Sequence, residues 1–525
     1  MVRTSALFAG VILALLVGCS SEDTGGSSSA PPKDAAAESD AGSDTLESEA
    51  GDARDASAEV DAEETIAYEL ILIREDSPEL PGFTVELHAH HGDGSPASPA
   101  GVTITCDRGE AMTEEESAEG VFARAFRPDA TGTGEYEVTA SVGGEPVASA
   151  TALVMKSVGG RWGQPRKVEG LVNTDGWEDG ANITADGEYL FIQYLPITPS
   201  CLWQAEPDLD SPECSKARGP VTGPERPGMP GADRVASDGT ILHGCPSIGI
   251  PSLPIPLPPN SLFGFKRQSD GSFAEPFAVA FDGIDGCVSP FGLTFVSGES
   301  GGRTMLLAYD DPFDNDPPNT DSGGDLYAFN DVELGAPIVL GRYSLNGNQI
   351  VLDDFEGILL ASTKNGHFGN PAGYQDAAGR VQVWYDNEAL PEEQRNLGAI
   401  VFEAGEFPAG AGTAPQDFPS PLGEADVADI QPFFDGSEAL VRKGWDIASV
   451  EYLGGDIFSE ASWGAPAYVV ESDTMGFVTQ TTGAIVTTGE PTKAVVGGKM
   501  ELYFVYGVMK ADGTADLNVG VVTER

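Results

Sequence analysis

Two glutamates occupy matching places in this chain, Glu178 in Trp177-Glu178-Asp179 and Glu490 in Gly489-Glu490-Pro491, each a few residues ahead of a glycine turn and an apolar strand. Paired carboxylates serve glycoside hydrolysis, one protonating the leaving oxygen and the other acting as base or nucleophile. They are the catalytic candidates, with turn capping as the competing role for each. A second oxygen-rich group, Asp310, Asp311, Asp314, Asp316 and Asp321, lies in a Gly/Pro-rich stretch and offers the hard ligands that calcium takes. It lacks the fixed glycine and terminal glutamate of an EF-hand, and a solvated acidic loop is the alternative. His88-Ala89-His90-His91 is the one histidine cluster. On a strand His88 and His90 share a face, where a polar strand end competes with metal binding. No phosphate loop or His-Glu-x-x-His motif is present.

Cysteine spacing excludes a Cys-x-x-Cys zinc or redox motif. Cys201 and Cys214 bracket a Pro-rich stretch, and a bridge between them is worth roughly 3 kcal/mol when unstrained. Cys245 and Cys287, in neighbouring predicted units, form the second expected pair, which leaves Cys106 as a buried thiol.

The elements that must position these residues are β-strands. At 525 residues, with 66 glycines and 38 prolines, the chain reads as all-β with several domains. Its 28 basic against 83 acidic residues give a net charge of −55. That charge repels phosphate backbones, excludes nucleic acid as a partner, and suits solubility in salt or divalent cations.

Arg3 followed by the apolar run Leu7 to Val17 has the form of a signal peptide, too short for a mature membrane span. The run ends in Leu16-Val17-Gly18-Cys19, which resembles a bacterial lipobox. The resemblance implies cleavage after residue 18 and a diacylglycerol on Cys19, and so a membrane partner through the lipid. Ser20 in place of Asp implies the outer membrane or cell surface as destination. Residues 19–65 are Ser, Ala, Gly, Asp and Glu with few large apolar groups, a composition predicting a disordered acidic tether.

Residues 66–156 alternate as about seven short strands, the pattern of a β-sandwich. Gly134-Glu135-Tyr136-Glu137-Val138-Thr139-Ala140 resembles the penultimate strand of bacterial Ig-like repeats, domains that usually act as spacers. From 160 to 525 a strand–turn–strand unit recurs, clearest at Asn182-Ile183-Thr184, Asp186-Gly187 and Tyr189-Leu190-Phe191-Ile192. Further turns are expected at Asp238-Gly239, Phe291-Gly292, Glu356-Gly357, Asp435-Gly436 and Gly497-Gly498. An aromatic or apolar residue, a small one, and Pro two further on (Trp162 to Pro165, Phe273 to Pro276, Leu334 to Pro337, Trp463 to Pro466) mark an outer strand, since Pro cannot donate to a ladder.

Six such units predict a six-bladed β-propeller. Thr184-Ala185-Asp186-Gly187 and Ala236-Ser237-Asp238-Gly239 resemble the repeat core of TolB-like (PD40, WD40-like) propellers. The repeat is worn in the third unit and lost in the fourth and sixth, which leaves five and seven blades open. The strand at Trp162 is expected to complete the last blade beside the final strand, Ala515 to Val522, bringing Glu178 and Glu490 to one mouth. Asp516-Leu517-Asn518-Val519-Gly520 resembles a strand of five-bladed propeller glycosidases. The functional expectation is a surface-anchored lipoprotein whose propeller binds an envelope or extracellular protein or glycan. A carbohydrate-active hydrolase using Glu178 and Glu490 is the alternative, and a purely structural envelope component the third.

Overall fold

Apolar–polar alternation builds seven strands into the first part of the chain: β1 (Ile66–Arg74), β2 (Phe83–His91), β3 (Val102–Cys106), β4 (Glu110–Glu116), β5 (Val121–Arg127), β6 (Gly134–Val142) and β7 (Glu145–Val154). The computed structural model describes residues 66–74, 82–116, 118–128, 134–157, 161–174, 176–195, 234–235, 241–242, 261–278, 280–281, 289–298, 304–310, 338–346, 349–360, 368–387, 396–407, 412–432, 437–472, 485–509 and 515–525. Two antiparallel sheets form, in the orders β1-β2-β5-β4 and β3-β6-β7. Phe83, Val85, Leu87 and Phe126 of the first sheet share one core with Ile104, Tyr136, Val138, Ala140 and Ala152 of the second. On β2 the intervening Thr84, Glu86, His88 and His90 face away from that core and are half-buried.

Two short strands, β8 (Lys156–Ser157) and β9 (Arg166–Lys167), lead into a series of antiparallel meanders. The first is β10 (Trp177–Ile183), β11 (Tyr189–Leu195), β14 (Ser261–Arg267) and β15 (Phe273–Ala278). The ribbon β12 (Arg234–Val235) and β13 (Ile241–Leu242) lies in the sequence between its second and third strands. After the short β16 (Ala280–Phe281) comes the second: β17 (Ser289–Ser297), β18 (Thr304–Asp310), β19 (Ile338–Asn346) and β20 (Gln349–Leu360). The third is β21 (Phe368–Gln375), β22 (Val381–Asn387), β23 (Asn396–Phe402) and β24 (Gln416–Asp417). The fourth is β25 (Val427–Gln431), β26 (Glu438–Lys443), β27 (Asp446–Tyr452) and β28 (Trp463–Glu471). The fifth is β29 (Ile485–Val496), β30 (Lys499–Met509) and β31 (Ala515–Thr523), with β9 as its fourth strand.

The first strands of the five meanders touch in cyclic order, β10 to β17, β21, β25, β29 and back to β10. The meanders therefore surround a common axis, as the blades of a propeller do. The N-terminal strand completes the last meander, with β9 antiparallel to β31 and Trp162 bridged to Glu524. That pairing removes an open edge.

Among the described residues there are five meanders, where six were expected. The expected unit at Asp238-Gly239 falls in the segment between β11 and β14, and those two strands pair directly across it. Phe291-Gly292 and Glu356-Gly357 are not turns: they lie inside β17 and β20. The third meander turns instead at Asp376 to Gly379. Phe273 to Pro276 and Trp463 to Pro466 fall on the fourth strands, β15 and β28.

The first and last meanders are stitched at Gly170, which bridges Phe273, while Leu171 N donates to Phe273 O at 2.8 Å. Gly170 has φ +103°, and a Cβ there would sit 1.9 Å from Phe273 O. Gly170→Ala is therefore expected to cost on the order of 3 kcal/mol, because backbone must move to admit the methyl group. The check is the denaturant midpoint, and an unchanged midpoint would show the contact to be dispensable.

The sandwich is joined to this ring by more than a linker. Leu153 and Met155 are buried in a cluster with Trp162, Phe504 and Val508, and β8 adds to the outer strand β28.

Candidate functional site

Each meander carries the same irregularity. Its first strand has a two-residue bulge, placing residues 180–181, 292–293, 370–371, 429–430 and 490–491 opposite single residues of the second strand. Among the described residues, three non-glycines adopt left-handed backbone: Asn370 (φ 42°), Asp429 (φ 52°) and Glu490 (φ 50°). All three open these bulges, and Gly180 (φ 58°) holds the equivalent place in the first meander. Left-handed backbone costs a residue with a Cβ on the order of 1 kcal/mol, and it clusters at functional sites.

The bulges surround a cavity of about 30 Å³ on the axis, lined from all five meanders by Gly180 and Asn182, Thr294, Asn370, Asp429 and Gln431, and Glu490. Carboxylates converge on it. Glu490 accepts a short hydrogen bond from the Gly180 amide and shares another with Asp179. Burial pushes Glu490 well above the usual carboxylate range, and Asp179 and Asp429 opposite it push further. Burial also raises Asp179, against the pull of its bond to Glu490 and of Trp177 Nε1, which donates to its Oδ2 at 3.2 Å. The pair thus holds a proton between two carboxyl groups.

Asp429 forms the other half. Its Oδ1 accepts from Asn370 Nδ2 at 2.9 Å and its Oδ2 from Arg442 Nε at 2.6 Å. Its amide donates to Asp386 Oδ2 at 3.0 Å, and the Glu490 amide donates to Asp429 Oδ2 at 3.3 Å. Asp386, pushed up to about 7 by burial and then by Asp429, leaves its Oδ1 without a partner. Thr294, 2% exposed, lines the cavity and its hydroxyl is also unpartnered. Buried polar atoms are normally bonded, so such orphans mark places for a ligand or water.

The two candidate glutamates do not meet. Glu490 reaches the axis, but Glu178 is fully buried on the opposite side of β10. Its Oε1 accepts from the Thr174 amide at 3.1 Å and, more closely, from the Thr174 hydroxyl, while its Oε2 is unpartnered. Burial, then Asp516, raises its proton affinity. Successive strand residues point to opposite faces, so the residue that meets Glu490 is Asp179.

Asp386, Asp429, Asn370 and Arg442 were not expected. Counting six residues back from Asp186, Asp376 and Asp435, the last outside the described residues, reaches Gly180, Asn370 and Asp429, a spacing that would have found the bulges.

The remaining candidates lie away from the axis. Asp311, Asp314, Asp316 and Asp321 fall outside the described residues, Asp310 ends β18, and Cys19, Cys201, Cys214, Cys245 and Cys287 are outside as well. Cys106 ends β3 as a free, half-buried thiol rather than a fully buried one. Its Sγ donates to Arg108 O at 2.6 Å, and burial pushes the thiol up to about 11. His88 Nε2 is 2.8 Å from Glu86 Oε2. Among the described residues no three His, Cys, Asp or Glu side chains are grouped to hold a metal ion.

No known family model and no curated protein matches the chain. Several solved structures are similar in outline. A protein of unknown function from Dyadobacter fermentans shares 10% identity over 88% of this chain and 96% of its own, at a TM-score of 0.32. An α-L-arabinofuranosidase from Podospora anserina in complex with cellotriose shares 8%, over 70% and 97%, at 0.32. An exo-1,5-α-L-arabinanase from a bovine ruminal metagenomic library shares 11%, over 67% and 94%, at 0.34. Similarity of this degree says nothing about what the chain binds, and the site stands on its own geometry.

Proposed function

We propose that the chain is an exported, lipid-anchored protein whose five-bladed propeller presents an axial carboxyl centre to a glycan and hydrolyses it. Glu490, paired with Asp179, is the proton donor, and Asp429, ion-paired with Arg442, is the second carboxylate. The observation that carries this reading is the convergence of Asp429 and Glu490 on one cavity, with Asp179 bonded to Glu490 and Asp386 bonded to the Asp429 amide behind them, and burial raising Asp179, Asp386 and Glu490. Neighbouring carboxyls tuned apart are what acid–base chemistry on a glycosidic bond requires. The orphaned Thr294 hydroxyl suits a polyhydroxylated ligand.

The sandwich order, 1-2-5-4 against 3-6-7, is that of the immunoglobulin constant-type fold, which supports an Ig-like domain between ring and tether. The lipid on Cys19 and the outer-membrane destination rest on the lipobox alone.

A panel of oligosaccharides assayed for new reducing ends tests the proposal. Turnover is expected to fall 10²–10⁴-fold in Glu490→Gln with melting temperature preserved. A second reading, recognition without turnover, is favoured by the narrowness of the cavity, which admits a single polar group of a glycan rather than a whole sugar ring. Calorimetry on the same panel separates the two: binding without products would sink hydrolysis, and neither would sink both.

A further inference from the structure

The sandwich reaches the axial site through a continuous set of contacts. Glu135, at the start of β6, leaves its own domain and places Oε1 against three donors of the last meander. Tyr506 donates its hydroxyl at 2.6 Å, Asn518 its Nδ2 at 3.2 Å, and Lys167 Nζ lies 3.1 Å away. Asn518 Nδ2 is also 3.2 Å from Asp516 Oδ2, so Glu135 and Asp516 together clamp β31 over residues 516–518. Leu517, at the centre of that clamp, makes the single parallel bridge between β31 and β10, and its partner is Trp177. Trp177, fully buried, turns its indole Nε1 to Asp179 Oδ2 at 3.2 Å. Asp179 shares its proton with Glu490.

We infer that Glu135 of the sandwich is a positioning residue for the axial site: by pinning β31 to β10 it fixes the indole of Trp177 and, through it, the carboxylate of Asp179. The sandwich is then a part of the site rather than a spacer before it. The inference deepens the axial-site proposal and rests on that centre being functional, but its physical content can be checked without a glycan.

Charge considerations agree with the geometry. Glu178, raised by burial and then by Asp516, is lowered by Lys167, and Glu135 holds that same ammonium at 3.1 Å. A carboxylate at 135 therefore does two things: it orients the Asn518 amide, and it keeps Lys167 at the domain joint.

The test is a pH titration of intrinsic fluorescence on the full chain. An indole bonded to a carboxylate changes emission when that carboxylate takes a proton. The chain has six tryptophans, so the Asp179 step is the part of the curve that Trp177→Phe removes. In Glu135→Ala the clamp on β31 is lost and the indole no longer holds Asp179, a bond that lowers its proton affinity. The midpoint should then move upward by about half a pH unit or more. Glu135→Gln, which keeps an acceptor for Tyr506 and Asn518, should restore most of the shift. Tyr506→Phe, which deletes one donor with little change in volume, should give a smaller shift of the same sign and covers the case in which Glu135→Ala fails to fold. A fall in melting temperature with an unmoved midpoint would make Glu135 merely structural and overturn the inference. A wild-type curve with no step dependent on Trp177 would also overturn it. A glycan panel that fails entirely would sink the hydrolase and recognition readings while leaving the titration result intact.

Discussion

Arg442→Met is expected to cost the folded state about 3–5 kcal/mol, read as a lower denaturant midpoint at pH 7. Asp429 is 4% exposed and takes its one charge partner from Arg442 Nε at 2.6 Å. Methionine fills much of the space but leaves the carboxylate buried beside Asp386 and Glu490, with two donors that carry no charge, Asn370 Nδ2 and the Glu490 amide. Adding Asp429→Asn should recover most of the loss, since the stranded charge is then gone and asparagine tolerates the left-handed backbone at that position. A double variant no better than the single one would assign the loss to packing. Arg380→Met is the control. Its ion pair with Asp376 is also short, at 2.7 Å, but Arg380 is nearly half exposed, so water screens it and at most about 1 kcal/mol is expected.

The second large effect is with pH. Asp386 goes from an ordinary 3.8 to about 7 on folding. The folded state therefore binds a proton more tightly than the unfolded chain between those values. Its contribution is complete below about 3.8 and lost as pH rises through about 7. Linkage then predicts that lowering the pH from 7 to 5 stabilises the protein by about 2 kcal/mol through this group alone. Glu178 and Glu490, both raised by burial, act in the same direction. Most proteins lose carboxylate salt bridges on acidification; these buried carboxyls oppose that trend. Asp386→Asn, which keeps the shape and removes the titration, should flatten the slope of melting temperature against pH between 5 and 7. An equally steep slope in that variant would exclude Asp386 as the source.

How much of this was legible in the residues depended on the range of the signal. Period-two alternation marks the sandwich strands, since burying Phe83, Val85 and Leu87 while leaving Glu86 and His88 outward needs only neighbours two apart. The closing strand at Trp162 was legible for a similar reason: the outer position is written in Trp162-Gly163-Gln164-Pro165, and a ring with a free edge is unfavourable. The unit at Asp238-Gly239 misled because a good local turn does not tell a blade from a ribbon: its flanks pair with each other as β12 and β13 in a separate two-stranded sheet, while β11 pairs directly with β14.

The site was half legible. Glu490, singled out by its place before a turn, lines the axial cavity. Choosing Glu178 over Asp179 missed by one residue, and on a strand one residue is the difference between two faces. The bulge at 180–181 decides which face meets the axis, and nothing in Trp177-Glu178-Asp179 announces a bulge. Asp386, Asp429 and Arg442 belong to two further blades. Only register brings them together, with Arg442 opposite Ala428 and Asp386 opposite Gly369.

The five bulges also make the axis addressable for engineering. Because each first strand already accommodates its extra residue, a side chain exchanged at 370, 429 or 490 changes what projects into the centre without asking any strand to slide. Gly180 is the tight address: a Cβ there would lie 3.1 Å from the Gln193 side chain. Asparagine fits such backbone at little cost, so a small combinatorial set over 370, 429 and 490 would rewrite the polarity of the axis and leave the blades, their turns and their closing strand as they are.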